Sequence, residues 1–403
     1  MSIDASVLIV GGGPAGMAAA LFLLEHNVDV IVLEQGLQPH ADPRAATYHP
    51  PTLEMLAPSG VTAELHTRGL IARHWQLRDR SAGVIAEFDL AVLADETPYP
   101  YRLQCEQHKL VAMLARRIAA NSTARIIRGA TVTGVEQDAS GVSVRFRSGD
   151  SEQQLRAAWV IGADGGRSIV RKSQAIEFAG FTWPERFLVI TTTFDFATLG
   201  YALSSYTMDP NEWTATFKIP GDDSGALWRC VFPTRPEQSD SELLDFAAAA
   251  NRLAALAPQT RNGKVVHTNL YSVHQRVAQT YHRGRVLLVG DAAHVNNPLG
   301  GMGLNFGVHD AYDLAPRLAA ILQNGAQAED LLGGYDRRRR TVAENYLQSQ
   351  TIANKRLLEE NDPLIRNERQ RELRAIAADV QQTHRYLLRT SMIEGIRAAA
   401  QIS

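Results

Sequence analysis

Residues 5–34 read ASVLIVGGGPAGMAAALFLLEHNVDVIVLE. Val7–Val10 and Val28–Leu33 are short apolar runs, the second interrupted only by Asp29, and an alanine- and leucine-rich stretch to about Asn27 lies between them. Strands apolar on both faces belong in a buried parallel sheet, so this is a strand, turn, helix and strand unit that opens the chain. The turn carries Gly11-x-Gly13-x-x-Gly16, and Glu34 ends the second strand. Gly11 permits the tight turn, Gly13 lets a pyrophosphate approach the backbone, and Gly16 lets helix pack on strand. Pro14 and Ala15 begin the helix, whose free N–H groups and positive dipole end suit phosphate. Glu34, with Gln35 beside it, is placed to accept from a ribose 2′-hydroxyl, and its charge repels a 2′-phosphate. A dinucleotide site follows, without a choice between nicotinamide and flavin.

Outward from this unit the periodicity lapses between Gln35 and Pro58, an extended loop with a short helix from about Thr52. Leu110, Leu114 and Ile118 are spaced as in a helix over 107–120, and alternation over 131–146 around Asp138–Gly141 reads as a hairpin. A second buried strand, Ala158–Ile161, ends in Gly162-Ala163-Asp164-Gly165-Gly166, and a third, Val286–Val289, ends in Gly290-Asp291. Between them short β-branched and aromatic runs alternate with Gly, Pro and Asp, with one helix over about 241–255. From Tyr335 onward the chain reads as charged helix. The expected fold class is α/β: a Rossmann-like nucleotide domain (1–175 and 269–334), an inserted, mostly antiparallel β-sheet substrate domain (176–268) and a helical C-terminal region (335–403). The first segment is expected to add a hairpin and part of the substrate wall.

Composition narrows the classes of function. The 403 residues include 41 basic and 43 acidic side chains, a formal charge of −2 that removes the electrostatic reason to propose nucleic acid or an anionic membrane. The run Arg337–Arg340 sits among Asp336, Glu344 and Glu329, and reads as a solvated or ion-pairing helix face. Two cysteines are too few for a disulfide framework or a cysteine zinc site, and no metal site is expected. The N-terminus lacks a basic leader and no apolar run approaches bilayer length, so a cytoplasmic location is expected.

The turn at Gly162–Ser168 and the run Gly290-Asp291-Ala292-Ala293-His294 followed by Pro298-Leu299-Gly300-Gly301-Met302-Gly303-Leu304-Asn305 resemble the second and third motifs of the single-component flavin-dependent aromatic hydroxylases related to p-hydroxybenzoate hydroxylase. The resemblance covers roughly residues 5–350. It implies FAD as resident cofactor, held by Gly11, Gly13, Pro14, Ala15, Gly16, Glu34, Gln35, Arg44, Gln107, Asp164, Gly290, Asp291, Pro298, Gly301, Gly303, Leu304 and Asn305. Asp291 matches the acid that binds the ribityl chain, and Gln107 a glutamine touching it. Arg44, Pro298 and His294 are the candidates nearest the chemistry, with a proton-handling and a structural role both open for His294.

The resemblance further implies NADH or NADPH as a transient hydride donor, consistent with the lack of a second GxGxxG. Reduced flavin and O2 then form a hydroperoxide at the flavin C4a carbon, whose electrophilic oxygen hydroxylates a small phenolic or hydroxylated N-heteroaromatic ring. Substrate-wall candidates are Tyr206, Trp213, Phe217, Trp228 and Arg229, the arginine being suited to a carboxylate. The helical tail is a candidate homodimer contact. Other oxygenation chemistry on the same fold, or a non-catalytic flavin-binding sensor, remain alternatives at this point.

Overall fold

In the computed structural model, which describes residues 3–38, 45–222 and 225–403, the opening strand Ala5–Val10 lies at the centre of a sheet. It pairs in parallel with Val30–Glu34 on one side and with Ser151–Gly162 on the other. Val286–Leu288 and Ala124–Arg128 extend the parallel run outward. Asp29, the one polar residue in its run, accepts the Ser6 N–H at 2.7 Å and so ties the start of two neighbouring strands together.

Register brings the motifs to one edge. Val10 is opposite Gly162 and Leu33, and Gly162 is opposite Leu288, so the turns after all three glycine-bearing strands leave the sheet side by side at its carboxyl end. Ligands of open α/β sheets bind at that edge. Behind it the helix Pro14–Glu25 is apolar on every side and buried from Gly16 to Leu24, between the helices Gln107–Ala119 and Gly303–Asn324. Gly141–Ser148 and Ala130–Asp138 form the expected hairpin, which pairs antiparallel with Ser151–Gly162.

A second eight-stranded sheet runs in the order His294–Val295, Val265–Ala278, Phe178–Thr192, Leu227–Pro233, Thr214–Ile219, Ser204–Met208, His74–Asp79 and Gly83–Asp89. It is antiparallel except where Ser204–Met208 meets His74–Asp79. One face is covered by the helices Asp240–Leu244 and Phe246–Leu256, which divide the single expected helix at Asp245; the Asp245 side chain caps the second by accepting the Ala248 N–H at 2.8 Å. Leu188, Ile190, Trp228, Cys230 and Phe232 pack beneath them.

The opposite face carries Phe187, Val189, Tyr206, Trp213 and Val231, against which the C-terminal helices set Leu358, Leu373 and Leu387. Gln370 of the helix Pro363–Ala378 donates to Asp79 at 2.8 Å, and Arg366 pairs with the same carboxylate. The Asp79 carboxyl lies at about 2, since burial, which acts to raise it, is outweighed by bonds from Ser81, Ala82 and Arg366. The tail therefore roofs the second sheet. In the run Arg337–Arg340 the ion-pairing expectation holds for Arg338, Arg339 and Arg340, but Arg339 pairs turned inward, 2% exposed, and not on a solvated face.

Candidate active site

The first turn is shaped by contacts that admit no side chain. A Cβ on Gly11, whose φ is +108°, would stand 2.3 Å from the Ala163 carbonyl oxygen, and one on Gly16 would stand 2.0 Å from the Gly11 oxygen. Gly11 therefore touches the second turn directly. A Cβ on Gly13, in contrast, would meet nothing within 4 Å. This open face lies at the start of the helix Pro14–Glu25, which has no side-chain cap. An uncapped helix start beside free space is a cradle for phosphate. Glu34 accepts the Gly12 N–H at 2.6 Å and the Gly36 N–H at 2.7 Å. A carboxylate offers about four acceptor sites, so the half-exposed group keeps capacity for a diol. Gln35 is exposed beside it, Gln107 is half-buried at the first position of its helix, and Arg44 falls outside the described residues.

In the second turn Asp164 accepts from Ile169 N at 2.7 Å, Val170 N at 3.1 Å and the Ser168 hydroxyl, so it braces the start of the helix Ile169–Ser173. Burial raises its pKa, against those hydrogen bonds. The third turn docks on the first: a Cβ on Gly290 would lie 2.7 Å from the Ala15 Cβ, and one on Gly307 would lie 3.0 Å from it. Asp291 is exposed at the tip of this turn.

Beneath Gly290 lies a group absent from the sequence reading. Asp310 is fully buried, accepts the Gly290 N–H at 2.9 Å, and bonds His294 Nε2 and Arg339 Nε at 2.7 Å each. His294 is itself wholly enclosed, so it presents no surface to a cofactor or substrate; of the two roles left open for it, this geometry supports the structural one. Burial acts to raise the Asp310 carboxyl, and His294 and Arg339 outweigh it, leaving the group at about 2. A turn bearing an exposed acid is thus seated on a buried ionic base.

Pro298 to Asn305 make the fourth wall. Pro298, Gly301, Gly303 and Leu304 are partly exposed, and the helix Gly303–Asn324 starts without a side-chain cap. A Cβ on Gly301, at φ +65°, would lie 2.9 Å from the Thr47 Cβ. Asn305 is completely buried: its amide donates to Gly301 O at 2.7 Å and Thr47 O at 2.9 Å, and its oxygen accepts the His49 N–H at 2.9 Å. It holds the wall together from behind. The Gly300 peptide is gripped from two sides, its N–H donating to the Tyr206 hydroxyl and its carbonyl lying 2.8 Å from His49 Nε2. Burial, then the neighbouring Arg102, brings the His49 imidazole down to about 3, so it is neutral and its Nε2–H donates.

Tyr206 joins this wall to the second sheet. Residues directly opposite across a ladder share a face, and the register Thr191, Arg229, Phe217, Ser204, Trp75 together with Val231, Ala215, Tyr206, Leu77 defines the face turned toward Gly300. Tyr206, Phe217 and Arg229 are on it, and Trp213 closes its end against Phe187 with ring centroids 5.0 Å apart. Trp228 is not. Next to Arg229 in the strand, it faces the other way, is fully buried under the helix Phe246–Leu256 and donates to Asp195 at 2.8 Å, which corrects its placement on the substrate wall.

Comparison with known proteins supports one class of site. A family model described as "FAD binding domain" matches residues 4–350. The chain is 34% identical over 358 residues to the para-nitrophenol 4-monooxygenase of Pseudomonas sp. (strain WBC-3), covering 89% of this chain and 88% of that protein. It is 34% identical over 348 residues to the 6-hydroxy-3-succinoylpyridine 3-monooxygenase of Pseudomonas putida (strain DSM 28022 / S16), covering 85% and 86%. The crystal structure of the p-nitrophenol 4-monooxygenase from Pseudomonas putida DLL-E4 superposes with a TM-score of 0.92 at 32% identity, over 98% of this chain and 99% of that one.

Proposed function

The chain belongs to the FAD-binding domain family, its relatives here are aromatic monooxygenases, and on that premise we propose that it uses NADH or NADPH and O2 to hydroxylate a small phenolic or hydroxylated N-heteroaromatic compound. The observation that carries this reading is the Gly300 peptide, which sits at the uncapped start of one helix and is gripped by a tyrosine from an aromatic sheet face. A redox cofactor and an aromatic ring would be held on two sides of that junction. When bound, FAD supplies hydride acceptance and oxygen activation.

The chain's own residues supply position. The open space above Gly13 and the helix start at Pro14 fit a pyrophosphate, Glu34 an adenosine ribose, and Asp291 a ribityl chain. Gly303 and Leu304 present N–H groups at a positive helix end, which suits a flavin ring that becomes anionic on reduction, while Gly301, whose N–H is taken by the Pro298 carbonyl at 3.0 Å, shapes the turn before them. Asp164 and Asn305 act by bracing the turns that carry those groups. Gln107 and Gln35 border the same edge, with Pro298 against the ring. We assign residues 1–175 and 269–334 to cofactor binding, with the strands His74–Asp79 and Gly83–Asp89 of the first segment lent to the substrate wall, 176–268 to the substrate sheet and 335–403 to its roof. Tyr206, Phe217, Trp213 and Arg229 form a wall that keeps water from a reacting ring, and the C-terminal helices complete the exclusion.

No helix among the described residues is long and apolar enough to cross a membrane; we place the enzyme in the cytoplasm, without nucleic-acid partners. The test is a screen of nitrophenols, hydroxybenzoates and hydroxypyridines for stimulated NAD(P)H oxidation, with product detected by mass. Stimulation with a product heavier by one oxygen is expected. A yellow protein that no such compound stimulates with either nicotinamide would refute the assignment.

A further inference from the structure

Arg102 lies in the strand Arg102–Gln104, is 4% exposed, and has no carboxylate within 4.0 Å among the described residues. Its hydrogen bonding is thin. Nη2 reaches the Thr390 carbonyl at 3.4 Å, and Nε is buried without a partner. One long bond leaves most of a guanidinium's five donors unused. The cation lies over the Trp75 ring, 5.4 Å from its centroid, and its charge acts on Tyr206, Tyr386 and His49. None of these supplies a negative charge: His49 is neutral, and burial pushes the Tyr206 phenol up to about 12. An uncompensated buried cation is strongly unfavourable, so this one calls for an anion that the described residues do not supply. Here it stands beside Tyr206, whose hydroxyl grips Gly300.

We propose that Arg102 receives the ionised oxygen of the substrate, so that the site selects acidic phenols and hydroxypyridines in their anionic form. The inference rests on the phenol reading above and adds to it the residue that sets charge preference. Arg229, further along the sheet face, is left to recognise the remainder of the ring's substituents. A planar, permanently charged fork on an apolar wall favours an oxyanion over the protonated phenol of the same shape.

The experiment titrates the FAD-loaded protein with 4-nitrophenol, without nicotinamide, and reads the phenolate band in difference spectra across pH. Wild type is expected to show bound phenolate below the pH at which the free phenol ionises. Arg102→Gln is expected to lose that band at the same pH and to weaken phenolate binding by about 10- to 100-fold, with Arg102→Lys intermediate. Nitrobenzene, which cannot ionise, is expected to bind all three equally. Neutral phenol bound to wild type, undiminished phenolate binding by Arg102→Gln, or an equal loss of nitrobenzene would each overturn the proposal. Should Arg102→Gln fail to retain FAD, the wild-type band and Arg102→Lys decide in the same way. Absence of turnover with every phenol and hydroxypyridine is a separate result, which sinks the wider reading whatever the band shows.

Discussion

Replacing Asp310 by Asn removes one charge and almost no volume, and the structure sets the consequence. The carboxylate holds Arg339 Nε and His294 Nε2 at 2.7 Å and Gly290 N at 2.9 Å, in full burial. An asparagine oxygen can keep part of this set, but the buried Arg339 guanidinium loses its counter-charge. Breaking such a pair from one side costs about 3–5 kcal/mol. For a chain of 403 residues, whose unfolding entropy comes to about 0.85 kcal/mol per degree, the midpoint of thermal unfolding is expected to fall by roughly 4–6 °C, measured by circular dichroism on the FAD-loaded protein. FAD release is expected at lower temperature still, because the Gly290 turn loses its seat.

Arg339→Met added to Asp310→Asn is expected to recover part of the loss, since it removes the stranded cation. The pH dependence supplies a second check. With a folded pKa of about 2 against an ordinary 3.8, Asp310 stabilises the fold fully above pH 4, and this contribution is lost as pH falls through about 2. The difference is worth about 2 kcal/mol, and the variant is expected to lack that part of the acid-induced loss. If Asp310→Asn changes stability by less than about 1 kcal/mol, or if Arg339→Met adds its full cost on top, the argument for a coupled ionic base is wrong.

Three further outcomes follow from the same geometry. Gly13→Ala is expected to fold normally, because its Cβ meets nothing within 4 Å, yet to lose FAD affinity; Gly16→Ala, whose Cβ would stand 2.0 Å from Gly11 O, is expected to lose both, as read by yield and flavin content. Asp291→Ala, at an exposed tip, is expected to leave the melting temperature within about 2 °C while flavin is lost on dialysis; full colour after extensive dialysis would remove its ribityl role. Trp228→Phe is expected to cost about 1 kcal/mol through the bond to Asp195 and to leave KM for the aromatic substrate unchanged. A raised KM there would put Trp228 back on the substrate side.

The parts of the site that were legible are those whose physical demand is local. A tight turn before an uncapped helix requires glycine at Gly11 and Gly16 wherever the rest of the chain goes, and the acids after the strands could be counted from those turns. The sequence reading set Trp228 and Arg229 together on the substrate wall, although neighbours in a strand point to opposite faces; which face looks at the cofactor depends on the helices Phe246–Leu256 and Val380–Thr390, which cover different sides. His49 and Arg102 carried no motif. Their signal, a histidine at a helix start after Tyr48 and an arginine between Tyr101 and Leu103 in a short strand, is too common to select without knowing that both end up buried.

From the amino-acid order alone came a dinucleotide-type site, the parallel sheet behind it and the three turns at its edge, because glycine, strand period and helix start act over a few residues. Tertiary structure alone decided that Asp310, Arg339 and His294 form one buried unit, that Tyr206 grips Gly300, and that Arg102 has no counter-ion among the described residues. Those facts concern residues far apart in the chain, and burial, which gives each charge its energy, exists only once the layers have closed over them.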